Sequence, residues 1–123
     1  MRIRPERVAE TIKREMAAIL SGRLRDPRLA GMISVTEVEV TPDLSVARIY
    51  VSMLAPEEAR EKALQALAHS AGFVRRELAP RLGLREVPEI RFALDESIEH
   101  GARVEELLKR LERGETVADE DLE

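Results

Sequence analysis

The chain has 123 residues, of which 44% are hydrophobic and 36% charged, with no cysteine and a net charge of −4. This length predicts one domain with a single core, and the lack of cysteine excludes a disulfide framework and thiolate chemistry. No apolar run approaches the length of a membrane span and the first residues lack the pattern of a secretion signal, so we expect a cytoplasmic protein without membrane contact.

The negative charge is concentrated at the C-terminal end. Residues 96–123 carry ten acidic and four basic side chains, whereas residues 1–48 carry nine basic and seven acidic ones. Local potential, more than total charge, attracts a phosphate backbone, so the net charge does not exclude a nucleic-acid partner. We expect residues 1–113 to form the domain and residues 114–123 to be a disordered acidic tail.

The first half of the chain predicts a helix followed by a β-hairpin. Residues 5–21 begin with a proline and carry an apolar stripe at helical spacing. An alternating pattern over residues 33–40 slips by one position around Thr36-Glu37, which is typical of a β-bulge. The turn sequence of residues 41–44 then leads into a clean alternation over residues 47–53. These two strands are expected to pair as a hairpin.

A long helical region follows, and it is interrupted. The region opens at Ala55, and its apolar stripe runs from Leu64 to Leu82 through a segment that contains Ser70 and Gly72. A glycine in a helix interior costs about 1 kcal/mol relative to alanine, and a serine hydroxyl competes for backbone hydrogen bonds. The sequence therefore predicts a kink at Gly72. Arg75 and Arg76 come within one turn of the N-terminal, positive end of the helical segment that follows the kink. This arrangement favours the binding of a polyanion.

The last predicted elements are a strand and a helix. Gly83 predicts the end of the interrupted helix, and the alternation of Ile90, Phe92 and Leu94 predicts a third strand. Either Asp95 or Ser97 is suited to cap a final helix. The apolar stripe of that helix consists of Ile98, Val104, Leu107, Leu108 and Leu111.

Four motifs in this order resemble the ribosome-binding factor A family from Arg7 to about Leu111. They are Asp26-Pro27-Arg28-Leu29, Thr41-Pro42-Asp43-Leu44, the segment 70–78, and the segment 87–92 together with Asp95, Ser97 and Gly101. The resemblance implies an α+β fold: a single KH-like domain of type II topology (α-β-β-α-kink-α-β plus a C-terminal helix), with a three-stranded mixed sheet packed against helices. It also implies an Ala-x-Gly kink, in which Ser70 stands at the alanine position. Whether the Ser70 hydroxyl caps the second helix is left open.

The same resemblance implies a function. Proteins similar to this one bind the free small (30S) ribosomal subunit, assist late maturation of 16S rRNA at its 5′ end, and support growth in the cold. They are ribosome assembly factors and not enzymes, so we expect no cofactor, and we expect a monomer. Arg75 and Arg76 correspond to the basic positions after the kink, where phosphate contacts would supply salt-dependent affinity.

The candidate RNA-binding residues come from the kink, the arginines after it and two basic clusters near the N-terminus. They are Ser70, Ala71, Gly72, Arg75, Arg76, Arg81, Arg85, Arg4, Arg7, Arg25 and Arg28, with Arg2 and Arg23 in the same clusters. Only two phenylalanines and one tyrosine are present. Recognition of the RNA backbone and shape is therefore expected in preference to base stacking on aromatic side chains.

Other interpretations compete with RNA binding. The chain could be a protein-interaction module that uses a sheet edge or the final helix, with Arg75 and Arg76 on a solvated face and Glu77 paired to Arg81. Gly72 could instead serve close helix packing. The acidic tail could either aid solubility or compete with RNA for the basic face.

No catalytic or metal site is expected. Asp95, Ser97 and His100 are residue types of a hydrolytic triad, but they lie within six residues, which favours helix capping. His69 is expected at the surface or between helices, and two histidines without cysteine do not predict a metal site.

Overall fold

Three helices lie against one face of a three-stranded sheet in the computed structural model, which describes residues 3–22, 24, 26–29, 33–95 and 108–114. The sheet is mixed, as the sequence predicts, and its strand order is β1-β2-β3. The elements in chain order are α1 (Pro5–Gly22), a 3₁₀ turn (Pro27–Leu29), β1 (Ile33–Val40), β2 (Val46–Met53), α2 (Glu57–His69), α3 (Ala71–Leu82) and β3 (Glu89–Leu94).

Strands β1 and β2 form the predicted antiparallel hairpin. The register shifts between Val35 and Glu37, which leaves Thr36 as the extra residue of a bulge and confirms the predicted slip. Because of the bulge, the valines before and after the extra residue all face the helices. The Thr36 hydroxyl donates to Asp95 Oδ2 at 2.6 Å, which ties β1 to the end of β3 across the central strand.

Strand β3 runs parallel to β2, so the chain must cross from one end of the sheet to the other between them. Helices α2 and α3 make that crossing. The register places Phe92 beside Ile49, and Ile49 pairs with Val38 on β1. This row belongs to the apolar face that the helices cover, whereas the neighbouring row of Glu39, Arg48 and Arg91 faces solvent.

One hydrophobic core joins the helices to the sheet. Each helix contributes fully buried side chains, and the central strand contributes alternate residues. The buried set includes Ile12, Met16 and Ile19 of α1, Ile49 and Val51 of β2, Leu67 of α2, and Val74 and Leu78 of α3. The core therefore fixes α3 by one face and leaves its opposite face at the surface.

The interruption between α2 and α3 falls at Ser70 and not at Gly72. Ser70 has φ −90° and ψ 1°, its N–H donates to the carbonyls of Ala66 and Leu67, and its carbonyl accepts from Val74 at 2.9 Å. Gly72 is helical within the first turn of α3. The predicted kink exists, but its position was wrong by two residues. The Ser70 side chain makes no capping hydrogen bond, which answers the question left open above.

Where the structure describes them, the last elements end as the sequence pattern predicts. Helix α3 includes Pro80 near its end and stops at Gly83, whose φ of +62° is a left-handed conformation that glycine adopts without strain. Residues 108–112 are helical. The remainder of the predicted final helix, with Ser97 and His100, and the acidic tail from residue 115 onward lie outside the described residues.

Candidate nucleic-acid interface

The guanidinium of Arg75 is fixed by a backbone carbonyl. Its Nη2 and Nε donate to the carbonyl oxygen of Val87, at 2.7 Å and 3.2 Å. Val87 lies just before β3, so this contact joins the surface of α3 to the α3–β3 loop. A neutral acceptor orients the guanidinium without cancelling its charge, and the remaining N–H donors can bind an anion.

Arg76 lies over the first turn of α3. A Cβ atom built at Gly72 would lie 3.5 Å from Arg76 Nη1, and within 4 Å it would meet no atom of another element that the structure describes. Helix packing therefore does not require this glycine, which argues against its interpretation as a packing residue. Among the side chains that the structure describes, none forms an ion pair or hydrogen bond with the Arg76 guanidinium.

A surface cleft of about 460 Å³ lies beside Arg75. The structure brings Arg75 and Arg85 together there, with the turn between β1 and β2 and the N-terminal Ile3 as further walls. Arg4 is next to Ile3 in the chain, and it lines a neighbouring groove with Val40. Three of the predicted RNA-binding arginines thus lie around one end of the hairpin.

Arg7 is exposed on the first turn of α1, where its backbone N–H donates to the Arg4 carbonyl at 3.1 Å. No described contact brings its side chain to the cleft or to the start of α3. We therefore place Arg7 at the margin of the candidate interface.

The guanidinium of Arg81 forms ion pairs with two carboxylates. Its Nε lies 2.8 Å from Glu15 Oε2 on α1, and its Nη1 lies 3.7 Å from Glu77 Oε2. The pairing with Glu77 was anticipated from their spacing, but the stronger contact with Glu15 is tertiary and joins α3 to α1. Because its charge is largely balanced, Arg81 is a poor candidate for phosphate binding, and the structure gives it a role in packing.

The positive charge of Arg28 is also balanced by a carboxylate. Its Nη2 lies 2.8 Å from Asp26 Oδ2 and its Nε donates to Asp26 Oδ1 at 3.1 Å. The hydrogen bonds from the Arg28 side chain and backbone lower the pKa of Asp26 to about 2. This pair fixes the 3₁₀ turn that packs against α2. Arg25, the other member of this predicted cluster, lies outside the described residues.

Loss of the Arg28 side chain is expected to change the titration of Asp26. In Arg28→Ala the pKa of Asp26 should rise from about 2 toward its ordinary value of 3.8. In the wild type the unfolded chain takes up this proton first, so this carboxylate's contribution to stability is lost as pH falls from about 4 to about 2. Carboxyl NMR titration, with urea unfolding over the same pH range, measures both effects. A pKa that stays near 2 in the variant would contradict this explanation.

Several residues near the arginines were not recognised as functional candidates from the sequence. The Val87 carbonyl is a backbone group, so no side-chain pattern could identify it. Asp43 and Leu44 had been assigned to a turn and to a family motif, but to no binding role, yet both line the cleft. Leu44 has φ +62°, which is uncommon for a non-glycine residue.

Within the described residues, no group of histidine, aspartate and glutamate side chains is arranged to hold a metal ion. No helix in the described part of the chain has both the length and the apolar character needed to cross a membrane. The site therefore consists of arginines, an interrupted helix and a cleft of mixed polarity.

The element order, the mixed sheet and the interrupted helix pair define a KH-like domain of type II topology, as the sequence predicted. A model of the family described as ribosome-binding factor A matches residues 4–108. The chain belongs to the ribosome-binding factor A family.

Individual relatives agree with this assignment. Ribosome-binding factor A of Moorella thermoacetica is 50% identical over 113 residues, which cover 91% of this chain and 93% of that protein. The crystal structure of ribosome-binding factor A from Thermus thermophilus matches with a TM-score of 0.64 and 30% identity, over 73% of this chain and 93% of the other. The Thermus thermophilus factor as fitted into a cryo-electron microscopy map of its 30S complex matches with a TM-score of 0.59 and 31% identity, over 72% and 91%.

Proposed function

We propose that this chain binds the free small ribosomal subunit, assists late maturation of 16S rRNA at its 5′ end and supports growth in the cold. The role is one of binding and not of catalysis. The observation that carries the proposal is the pair Arg75 and Arg76 beside the α2–α3 interruption, one guanidinium held by a carbonyl and the other without a carboxylate among its described neighbours. The relative fitted into a 30S complex supports the choice of partner.

Phosphate groups are the chemical target that this arrangement favours. The backbone N–H groups at the start of α3 have no acceptor within that helix, and they add the positive end of its dipole to the two guanidinium groups. Anions bind favourably at such a helix start. Since the chain has few aromatic side chains, affinity should come mainly from the RNA backbone and should fall steeply with salt.

Binding of this kind can assist maturation by selecting one RNA conformation. A protein that binds the immature arrangement more tightly shifts the population toward it, and it is released when the mature arrangement forms. The proposal therefore requires a difference in affinity between immature and mature subunits.

Co-sedimentation with purified ribosomal particles tests the proposal. The chain should sediment with small subunits, more tightly with those carrying 5′-extended 16S rRNA, and weakly with large subunits and joined ribosomes. Its affinity should fall about tenfold or more between roughly 50 and 200 mM salt if even a few phosphates are contacted. Equal sedimentation with all particles would contradict the proposal, and salt-independent binding would favour a protein-interaction module.

The substitution Gly72→Ala is expected to stabilise the fold and to weaken binding to the small subunit. The added methyl group has space beside the described residues of the folded chain, and alanine has fewer conformations than glycine in the unfolded chain, so the free energy of unfolding should rise by up to about 1 kcal/mol. The same methyl group would obstruct RNA that approaches the first turn of α3, and affinity for small subunits should fall about tenfold, or about 1.4 kcal/mol.

Gly22→Ala is the matched control, because Gly22 ends α1 and a Cβ there meets no atom of the described residues within 4 Å. It should leave subunit affinity unchanged. If Gly72→Ala bound small subunits as tightly as the wild type, RNA would not approach this turn. Urea unfolding and co-sedimentation on the same preparations give both quantities.

A further inference from the structure

The cleft beside Arg75 combines apolar walls with fixed polar groups. Ile3, Leu44 and Leu84 supply aliphatic surface. The charged side chains are those of two arginines and three acidic residues: Arg75, Arg85, Asp43, Glu86 and Glu89. Its volume of about 460 Å³ lies within the range of small-molecule sites. The cleft is therefore large enough to take a flat polar ring between aliphatic side chains.

Asp43 is held in one orientation by the turn between β1 and β2. Its Oδ1 accepts from the Ser45 hydroxyl at 2.7 Å, the Ser45 N–H at 3.1 Å and the Thr41 hydroxyl at 2.8 Å. No described neighbour donates a side-chain hydrogen bond to Oδ2. Hydrogen bonds from Ser45 and Thr41 hold the pKa of Asp43 below its usual range, so the carboxylate is ionised at neutral pH.

The backbone beside this carboxylate is strained. Leu44 is held at φ +62°, while its N–H donates to the Thr41 carbonyl at 2.8 Å. A branched side chain in this conformation costs free energy, and such outliers cluster at ligand-binding positions. The strained conformation places an apolar residue in the wall of the cleft, where a glycine would leave an opening.

The charge of the cleft is mixed, and this distinguishes it from the phosphate-binding start of α3. A row of phosphates would favour arginines alone, but the acidic residues Asp43, Glu86 and Glu89 also line the cleft. A nucleobase presents both donors and acceptors on its edge, and proteins recognise unpaired RNA bases on those edges. A carboxylate accepts hydrogen bonds only, so it favours a base whose edge carries N–H donors.

We propose that this cleft takes one unpaired base of the bound RNA and prefers guanine to uracil. This inference rests on the proposed function, because the neighbouring phosphate would lie at Arg75. Guanine presents an N–H and an adjacent amino group on one edge, and both point toward a single acceptor such as Asp43 Oδ2, the carboxylate oxygen that the turn leaves open. Uracil presents a single N–H between two carbonyl oxygens, which a carboxylate repels.

The test is titration of the ¹⁵N-labelled full chain with four pentanucleotides, UUGUU, UUAUU, UUCUU and UUUUU. We expect the guanine-containing RNA to bind about tenfold more tightly than UUUUU, with amide shifts at Leu44, Ser45 and Val87. Asp43→Asn keeps an oxygen acceptor for the turn but replaces the other oxygen by an amide donor. It should abolish the preference for guanine, while Glu61→Gln, an exposed charge change on α2, should retain it.

The outcomes separate this inference from the proposed function. Salt-dependent binding of all four RNAs with equal affinity would overturn the base preference and leave the proposed function standing. Failure of every RNA to bind, together with failure to sediment with small subunits, would overturn both. Should Asp43→Asn not fold, Leu44→Gly relieves the strained φ and removes an apolar wall, and it should weaken binding of UUGUU at least threefold. Unchanged affinity in Leu44→Gly would overturn the inference.

Discussion

The double variant Arg75→Ala, Arg76→Ala is expected to lose about 100-fold of its affinity for the small subunit at low salt. A hydrogen bond between charged partners contributes about 1.5–3 kcal/mol, so each lost phosphate contact accounts for about tenfold or more. Arg75 also holds the Val87 carbonyl, and its loss should loosen the α3–β3 loop. Co-sedimentation across a salt series measures the affinity.

The salt series identifies the chemical cause of that loss. Each phosphate contact contributes about one unit to the slope of log affinity against log salt, so the double variant should show a slope smaller by about two. Arg48→Ala, Arg91→Ala is the matched control, since both residues are exposed on the sheet face away from the helices. Its affinity should stay within about threefold of the wild type.

An equal loss in the two double variants would show that only total charge matters. A large loss with an unchanged salt slope would assign Arg75 and Arg76 to a contact with protein. Either result would contradict the assignment of these two side chains to RNA phosphates.

The substitution Leu78→Ala is expected to have the largest effect on stability. Leu78 is fully buried on the core side of α3. Replacement of a buried leucine by alanine costs about 2–5 kcal/mol through lost burial and the cavity that remains. Urea unfolding should therefore show a fall in the free energy of unfolding within this range.

Subunit affinity provides the second half of this prediction. If the core serves only to hold α3 in place, the folded fraction of Leu78→Ala should bind small subunits within about threefold of the wild type. If the free energy of unfolding fell by less than about 1 kcal/mol, this side chain would not be what fixes α3. A loss of affinity at temperatures where the variant is fully folded would show that packing and binding are coupled.

The regular elements could be predicted because their patterns are local. Apolar stripes and alternation gave α1 and the three strands, and even the bulge at Thr36 left a visible slip in the alternation. The interruption was placed two residues late because Ser70 and Gly72 both weaken a helix. Propensity alone does not say which of two neighbouring weak residues leaves the helical conformation.

The candidate site could be predicted only in part. The sequence placed Arg75 and Arg76 first among the candidates, with Arg81 as an extension of their patch and Arg28 in a second basic cluster. It did not indicate that Arg81 pairs with Glu15 or that Arg28 pairs with Asp26. These pairings arise from tertiary and turn contacts. Glu15 pairs with Arg81 from another helix, and Asp26 pairs with Arg28 within a tight turn. Such contacts depend on the folded arrangement and leave no periodic signal.

Leu44 illustrates a further limit. Glycine or asparagine in a turn indicates a positive φ, but leucine carries no such signal. Its left-handed conformation follows from the hydrogen bonds that Thr41, Asp43 and Ser45 make around it. The sequence predicted the turn and not the strain within it, and so the cleft beside it was missed.

The most direct measurement is a cryo-electron microscopy structure of this chain on an immature small subunit, at a resolution that places side chains. We expect the Arg75 and Arg76 guanidinium groups within hydrogen-bond distance of rRNA phosphates, with RNA against the first turn of α3. A complex in which this turn faces solvent or a ribosomal protein, with the rRNA on another surface of the domain, would contradict the central claim.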